Sequence, residues 1–140
     1  MKIPVMLSLK GRQCYQDQEP DVIELITEGV MEYRDGGWDI SYEETELTGL
    51  SGVTTMFRVE PGRVILRRSG KLVSEMVFEE GTSHTSLYQM EFGALMMTVC
   101  AERIFAQLGS EGGMIDLVYT IEIEQTAVGT VDYHLEITAK

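Results

Sequence analysis

The chain has 140 residues, with 11 Lys and Arg against 23 Asp and Glu, and a formal net charge of −12. That length suffices for one domain, residues 1–140, with a hydrophobic core that needs neither disulfides nor metal. A surface this acidic repels phosphate backbones and anionic lipid, so neither nucleic acid nor a membrane is an expected partner.

The first apolar stretch, Ile3 to Leu9, is short and closed by Lys10 and Arg12 with no small-residue cleavage site, so it reads as a strand and not a leader. Ile3, Val5, Leu7 and Leu9 share one face. Ile23, Leu25, Met31 and Tyr33 mark a second strand, in which Gly29 predicts a bulge or sharp bend. Trp38, Ile40 and Tyr42 begin a third, which turns acidic at Glu43, Glu44 and Glu46.

Short meander strands follow over Val53–Glu60, Arg63–Ser69, Leu72–Glu79 and Thr82–Phe92. Gly93 to Leu108 has helix-forming composition. However, Leu95, Met97, Val99 and Ala101 alternate between two glycine turns, which predicts a strand. Ile115, Leu117, Tyr119, Ile121 and Ile123, then Val131, Tyr133, Leu135 and Ile137, alternate with polar residues and give two strands with one wet face.

A meander of eight to ten strands with one apolar face has exposed edges, and closing the sheet removes them. The expected fold is therefore all-β, a single antiparallel up-and-down barrel of about eight to ten strands. A two-sheet sandwich is the alternative. A barrel of this size holds packed side chains or one small ligand.

Cys14 and Cys100 are too few and too widely spaced for a metal motif or a disulfide framework. No apolar run approaches the ~18 residues needed to span a bilayer, and no asparagine is present to carry a glycan. The expected compartment is the cytoplasm, and no cofactor is expected. Ser69-Gly70-Lys71-Leu72 lacks the upstream glycine of a phosphate loop and reads as a hairpin turn.

His84 follows a turn, and His134 shares a polar face with Asp132 and Glu136. A solvated strand face gives the same row without chemistry, so no catalytic residue is assigned.

Five of the eleven basic residues fall between Arg58 and Lys71. A hairpin over Pro61-Gly62 with Glu60 opposite Arg63 sets Val59 against Val64, Phe57 against Leu66 and Thr55 against Arg68 on the apolar face. Arg58, Arg63 and Arg67 then fall on the wet face. An inward Arg68 must be compensated. It grips a ligand carboxylate or phosphate, pairs with Glu44 or Glu75, or returns its head to solvent. Trp38, Tyr42, Phe57, Tyr88 and Phe92, with Met31, Met76 and Met90, form either pocket walls or an ordinary core.

The segments Gly52-Val53-Thr54-Thr55, Arg68-Ser69-Gly70, Met76 to Gly81, Tyr88 to Gly93, Thr98, and Gly112-Gly113 with Leu117 and Tyr119 resemble the YwiB-like family of small bacterial proteins of unknown function. Met90-Glu91-Phe92-Gly93 departs from the Thr-Pro expected there before an aromatic-Gly pair. The resemblance implies a calycin-like barrel, similar to the lipocalins, in the bacterial cytoplasm, and carries over no catalytic residue.

The function expected is non-enzymatic binding of a small, partly apolar, anionic ligand inside the barrel. Arg68 is its anchor, and Trp38, Tyr42, Phe57, Met76 and Tyr88 are its walls. The alternative is a filled-core protein that acts through its acidic surface or a strand edge, as a homodimer or with a protein partner.

Overall fold

The computed structural model describes residues 2–15, 19–45, 50–90, 92–124 and 126–140. Ten strands follow one another: β1 (Lys2–Tyr15), β2 (Asp21–Arg34), β3 (Gly37–Glu43), β4 (Val53–Glu60), β5 (Arg63–Gly70), β6 (Ser74–Phe78), β7 (Ser83–Met90), β8 (Gly93–Gly109), β9 (Gly112–Ile123) and β10 (Thr126–Ala139). Among the described residues there is no helix, and so none long and apolar enough to cross a membrane.

All ten strands join one antiparallel sheet in the order β6-β5-β4-β3-β2-β1-β10-β9-β8-β7. The chain ends are therefore stitched together in mid-sheet by a long β1–β10 ladder running from Val5 opposite Ala139 to Tyr15 opposite Gly129. The free edges belong to β6 and β7, which are consecutive in the chain. They meet at Val73 and Gln89, which exchange backbone hydrogen bonds of 2.9 and 2.8 Å, and at the Glu79–Thr82 bridge. Gly81 N–H also donates to the Ala101 carbonyl at 3.0 Å. The barrel is nearly closed, with a seam between β6 and β7.

The expected strand over Gly93–Leu108 is present as β8. Its alternation holds through Ala101, then shifts phase at a bulge between Ala101 and Arg103 that brings Ile104 and Leu108 toward the core. The bulge expected at Gly29 is absent, because the β1–β2 register runs through Val5–Gly29 without a break. Gly29 instead answers a close approach. A Cβ there would sit 2.6 Å from the Ser41 carbonyl oxygen and 2.8 Å from Leu7 Cδ1.

The inward side chains of β2 to β6 stack in transverse rows, each two residues or ~6.6 Å along the strands from the next. Tyr33, Trp38, Val59, Val64 and Phe78 form the first. Met31, Ile40, Phe57, Leu66 and Met76 form the second, and none of these five is more than 4% exposed. Tyr42, Thr55, Arg68 and Ser74 form the third. The interior thus changes from apolar to polar along its length. From the other half of the barrel, Leu7, Leu9, Leu117, Leu135 and Ile137 complete the core. Burying such side chains stabilises the fold by roughly 1.5–3 kcal/mol each relative to exposure.

Candidate functional site

The hairpin over Pro61-Gly62 has the register read from the sequence, from Glu60 opposite Arg63 to Thr55 opposite Arg68. The next hairpin sets Ser74 opposite Arg68. A basic and a hydroxyl side chain are thereby placed side by side inside the barrel. Arg68 Nε and Ser74 Oγ are both buried without a hydrogen-bond partner. Of the carboxylates considered for Arg68, Glu75 Oε2 accepts from Arg67 Nε at 2.8 Å, and Glu44 Oε1 accepts from Thr55 Oγ1 at 2.7 Å.

Two tyrosines extend this polar end. Tyr42 lies against both Glu44 and Tyr133, and burial, then the neighbouring Tyr133 and Glu44, push its pKa far above the usual phenol value. Burial likewise raises Tyr133, against the opposing effects of a hydrogen bond from Tyr42 and the positive Arg68. Both hydroxyls therefore remain protonated. Tyr133 lies opposite Gly11, with a ring carbon 3.6 Å from where a Cβ on Gly11 would be, an ordinary packing distance. The Tyr133 ring also packs on Phe57 with centroids 5.8 Å apart. The N–H of Arg68 and the O–H of Ser74 are donors held out of water with nothing to donate to. An acceptor-only group such as a carboxylate or phosphate completes them.

The structure separates the residues expected to line one pocket. Tyr42 and Arg68 share the third row, Phe57 and Met76 lie in the sealed second row, and Trp38 stands in the first, about 13 Å along the strands from Arg68. Tyr88 on β7 is half-buried against the core. Phe92, taken with the walls, is 96% exposed at the β7–β8 turn, and Met90 is exposed beside it. Both are removed from any interior wall, because the meander turns over outside the barrel there.

Sequence reasoning missed Ser74 and Tyr133. Extending the register across the Gly70 turn by one more hairpin would have found Ser74. No local signal points to Tyr133, which reaches the site only through the β1–β10 closure.

On the outer face, Arg58 was expected to be wet but is buried. Its Nη1 donates to Asp39 at 3.1 Å, its Nε to Glu60 at 3.2 Å, and its Nη2 to the Asp35 carbonyl at 3.1 Å. Arg34 and Arg63 cover the same carboxylates from the solvent side. This is a structural network without a vacancy. His134 bridges Asp116 and Glu136 on the outer face, with its Nε2 3.1 Å from Glu136 Oε1. His84 Nε2 lies 3.2 Å from Glu79 Oε1 but without hydrogen-bond geometry.

A ten-stranded antiparallel barrel with an apolar waist and one polar inner end defines a small β-barrel protein. The chain belongs to the DUF1934 family, a domain of unknown function, whose profile matches residues 7–137. It is similar to the uncharacterised β-barrel protein YwiB of Bacillus subtilis strain 168, being 29% identical over 120 residues that cover 86% of this chain and 82% of the relative. The crystal structure of the ywiB protein from Bacillus subtilis superposes with a TM-score of 0.89 at 25% identity, covering 99% of this chain and 93% of that one.

Proposed function

We propose that this chain is a non-enzymatic cytoplasmic protein that binds a small anionic ligand at the polar inner end of its barrel. The observation that carries this reading is the adjacent pair of buried, unpartnered donors, Arg68 Nε and Ser74 Oγ. Leaving such groups unsatisfied costs about 1–3 kcal/mol each, a cost that an oxyanion removes. Arg68 is the anchor, Ser74 the second donor, Tyr42 and Tyr133 the polar walls, and Phe57 with Met76 the apolar floor that the ligand's hydrocarbon part would touch. Tyr88 stands on the β7 side of the seam.

The test is native mass spectrometry of protein isolated without anionic buffers, beside the same sample denatured. The reading predicts a reproducible added mass that is lost on denaturation and absent from Arg68→Ala. A bound mass indifferent to Arg68→Ala would overturn it.

A second reading is a homodimer or protein partner docked on the β6–β7 seam. It is favoured by exposed Val73, Leu87, Met90 and Met96 beside two strand edges that pair only at their ends. Light scattering discriminates: a dimer mass that Leu87→Lys reduces to a monomer supports the seam, and a monomer mass excludes the homodimer.

A further inference from the structure

We propose a second ligand site, for a small organic cation with an apolar body, in the open mouth at the opposite end of the barrel from Arg68. The mouth is a cup of about 630 Å³ between the β2–β3, β4–β5 and β6–β7 turns and the bulged end of β8. Its wall includes Tyr33, Trp38, Ile104 and Leu108, and its rim includes Glu79 and Glu80. The sealed second row is its floor, so it does not communicate with the Arg68 site through the waist.

Three features point to a cation. First, an aromatic side chain is presented and not packed away: Tyr33 is 58% exposed, although it is large and apolar enough to bury. Tyr33 and Trp38 meet edge to face with centroids 5.0 Å apart, which holds two ring faces at an angle around the same space.

Second, the charge of the lining is unbalanced. Its cation, Arg63, is committed to Glu60, with Nε and Nη2 donating at 2.8 and 2.5 Å. Among the described residues, Glu79 has His84 beside it and lies within electrostatic reach of Arg63, and Glu80 accepts a hydrogen bond from the Ile104 backbone N–H at 2.8 Å. Each keeps further carboxylate acceptor capacity at the rim.

Third, the β8 bulge shifts the phase after Ala101 so that Ile104 and Leu108 turn inward and close the cup opposite Trp38, while Phe105, opposite Asp116, lies on the outer face at its margin. An ammonium group over the ring faces is attracted by their quadrupole, and Glu79 and Glu80 add Coulomb attraction while excluding anions. An alkyl or aryl amine satisfies all three features. An anion meets three carboxylates, Glu60, Glu79 and Glu80, against the single guanidinium of Arg63, and a neutral apolar molecule leaves the carboxylates unused.

Trp38 is the one tryptophan in the chain, so its fluorescence reports this cup and nothing else. The experiment titrates the protein with benzylamine, benzyl alcohol and benzoate at constant ionic strength, exciting the indole selectively. The site predicts a saturable change with benzylamine, at least about tenfold weaker binding of benzyl alcohol, and no response to benzoate; tenfold corresponds to about 1.4 kcal/mol. The double variant Glu79→Gln/Glu80→Gln is expected to weaken benzylamine about tenfold while leaving benzyl alcohol unchanged. If that variant does not fold, the charge series on the parent chain decides alone. Equal responses to all three probes, or no saturable response to benzylamine, would overturn the proposal. Arg68 plays no part in it, so either site stands or falls without the other.

Discussion

Arg68 on β5 and Ser74 on β6 face each other across one ladder inside the barrel, and each holds a buried polar atom that bonds to nothing. Most buried polar groups in a folded chain are satisfied. Two adjacent exceptions, both able to donate, therefore mark the strongest departure from packing logic in this interior. The neighbouring row, from Met31 to Met76, shows that the same strands are able to build a dry, filled layer.

A residue kept for binding and not for stability behaves differently on substitution from a structural one. Arg68→Met replaces an unpaired buried donor with an apolar chain of similar reach. It is expected to leave the urea midpoint unchanged or to raise stability by about 1–2 kcal/mol. A loss of several kcal/mol would assign Arg68 to the framework.

Arg58 is the contrasting case. Its guanidinium is buried on the outer face and held by Asp39, Glu60 and the Asp35 carbonyl, with its pKa raised chiefly by the hydrogen bond to Asp39. Asp39→Ala leaves a buried cation short of its main partner and is expected to cost about 3 kcal/mol. Adding Arg58→Met to that variant is expected to restore part of the loss. Urea denaturation of the single and double variants checks both steps.

The pH dependence centres on His134. Its pKa lies above the ordinary value of 6.5, chiefly through the hydrogen bond to Asp116 and then that to Glu136, while Lys10 faces it across the β1–β10 ladder and is itself beside Glu24. Because the folded value exceeds the unfolded one, this contribution is fully present below about pH 6.5 and is lost as pH climbs through the raised value. The pair is partly exposed, so screening limits the effect to at most about 1 kcal/mol. Denaturation at pH 6 and pH 9 should show a difference that His134→Gln abolishes; an unchanged difference in that variant would place the titration elsewhere.

The sequence carried the strand pattern well because each strand has one wet face. Alternation alone located the last two strands, and the Pro61-Gly62 turn fixed the register that sets Thr55 opposite Arg68. Long-range relationships were not legible. Nothing local says that β1 pairs with β10, that the seam falls between β6 and β7, or that Tyr133 therefore reaches Tyr42.

Aromatic content also misled. Trp38, Phe57 and Phe92 look equivalent as wall residues in one dimension, yet they occupy a mouth, a sealed core layer and an exposed turn. Burial of Arg58 escaped notice because outward-facing strand positions are ordinarily wet. Here the Arg34, Asp39 and Glu60 side chains close over it.

The most direct test is nitrogen-15 NMR of the arginine Nε–H groups, with the Arg68 signal assigned from its absence in Arg68→Lys. Acetate, benzoate and inorganic phosphate are titrated against chloride at equal ionic strength. Binding at the polar inner end predicts a saturable shift of the Arg68 Nε–H with at least one of these oxyanions, weakened by Ser74→Ala. An Arg68 signal that follows ionic strength alone, with no saturation by any oxyanion, would contradict the assignment of Arg68 and Ser74 as an anion-binding pair.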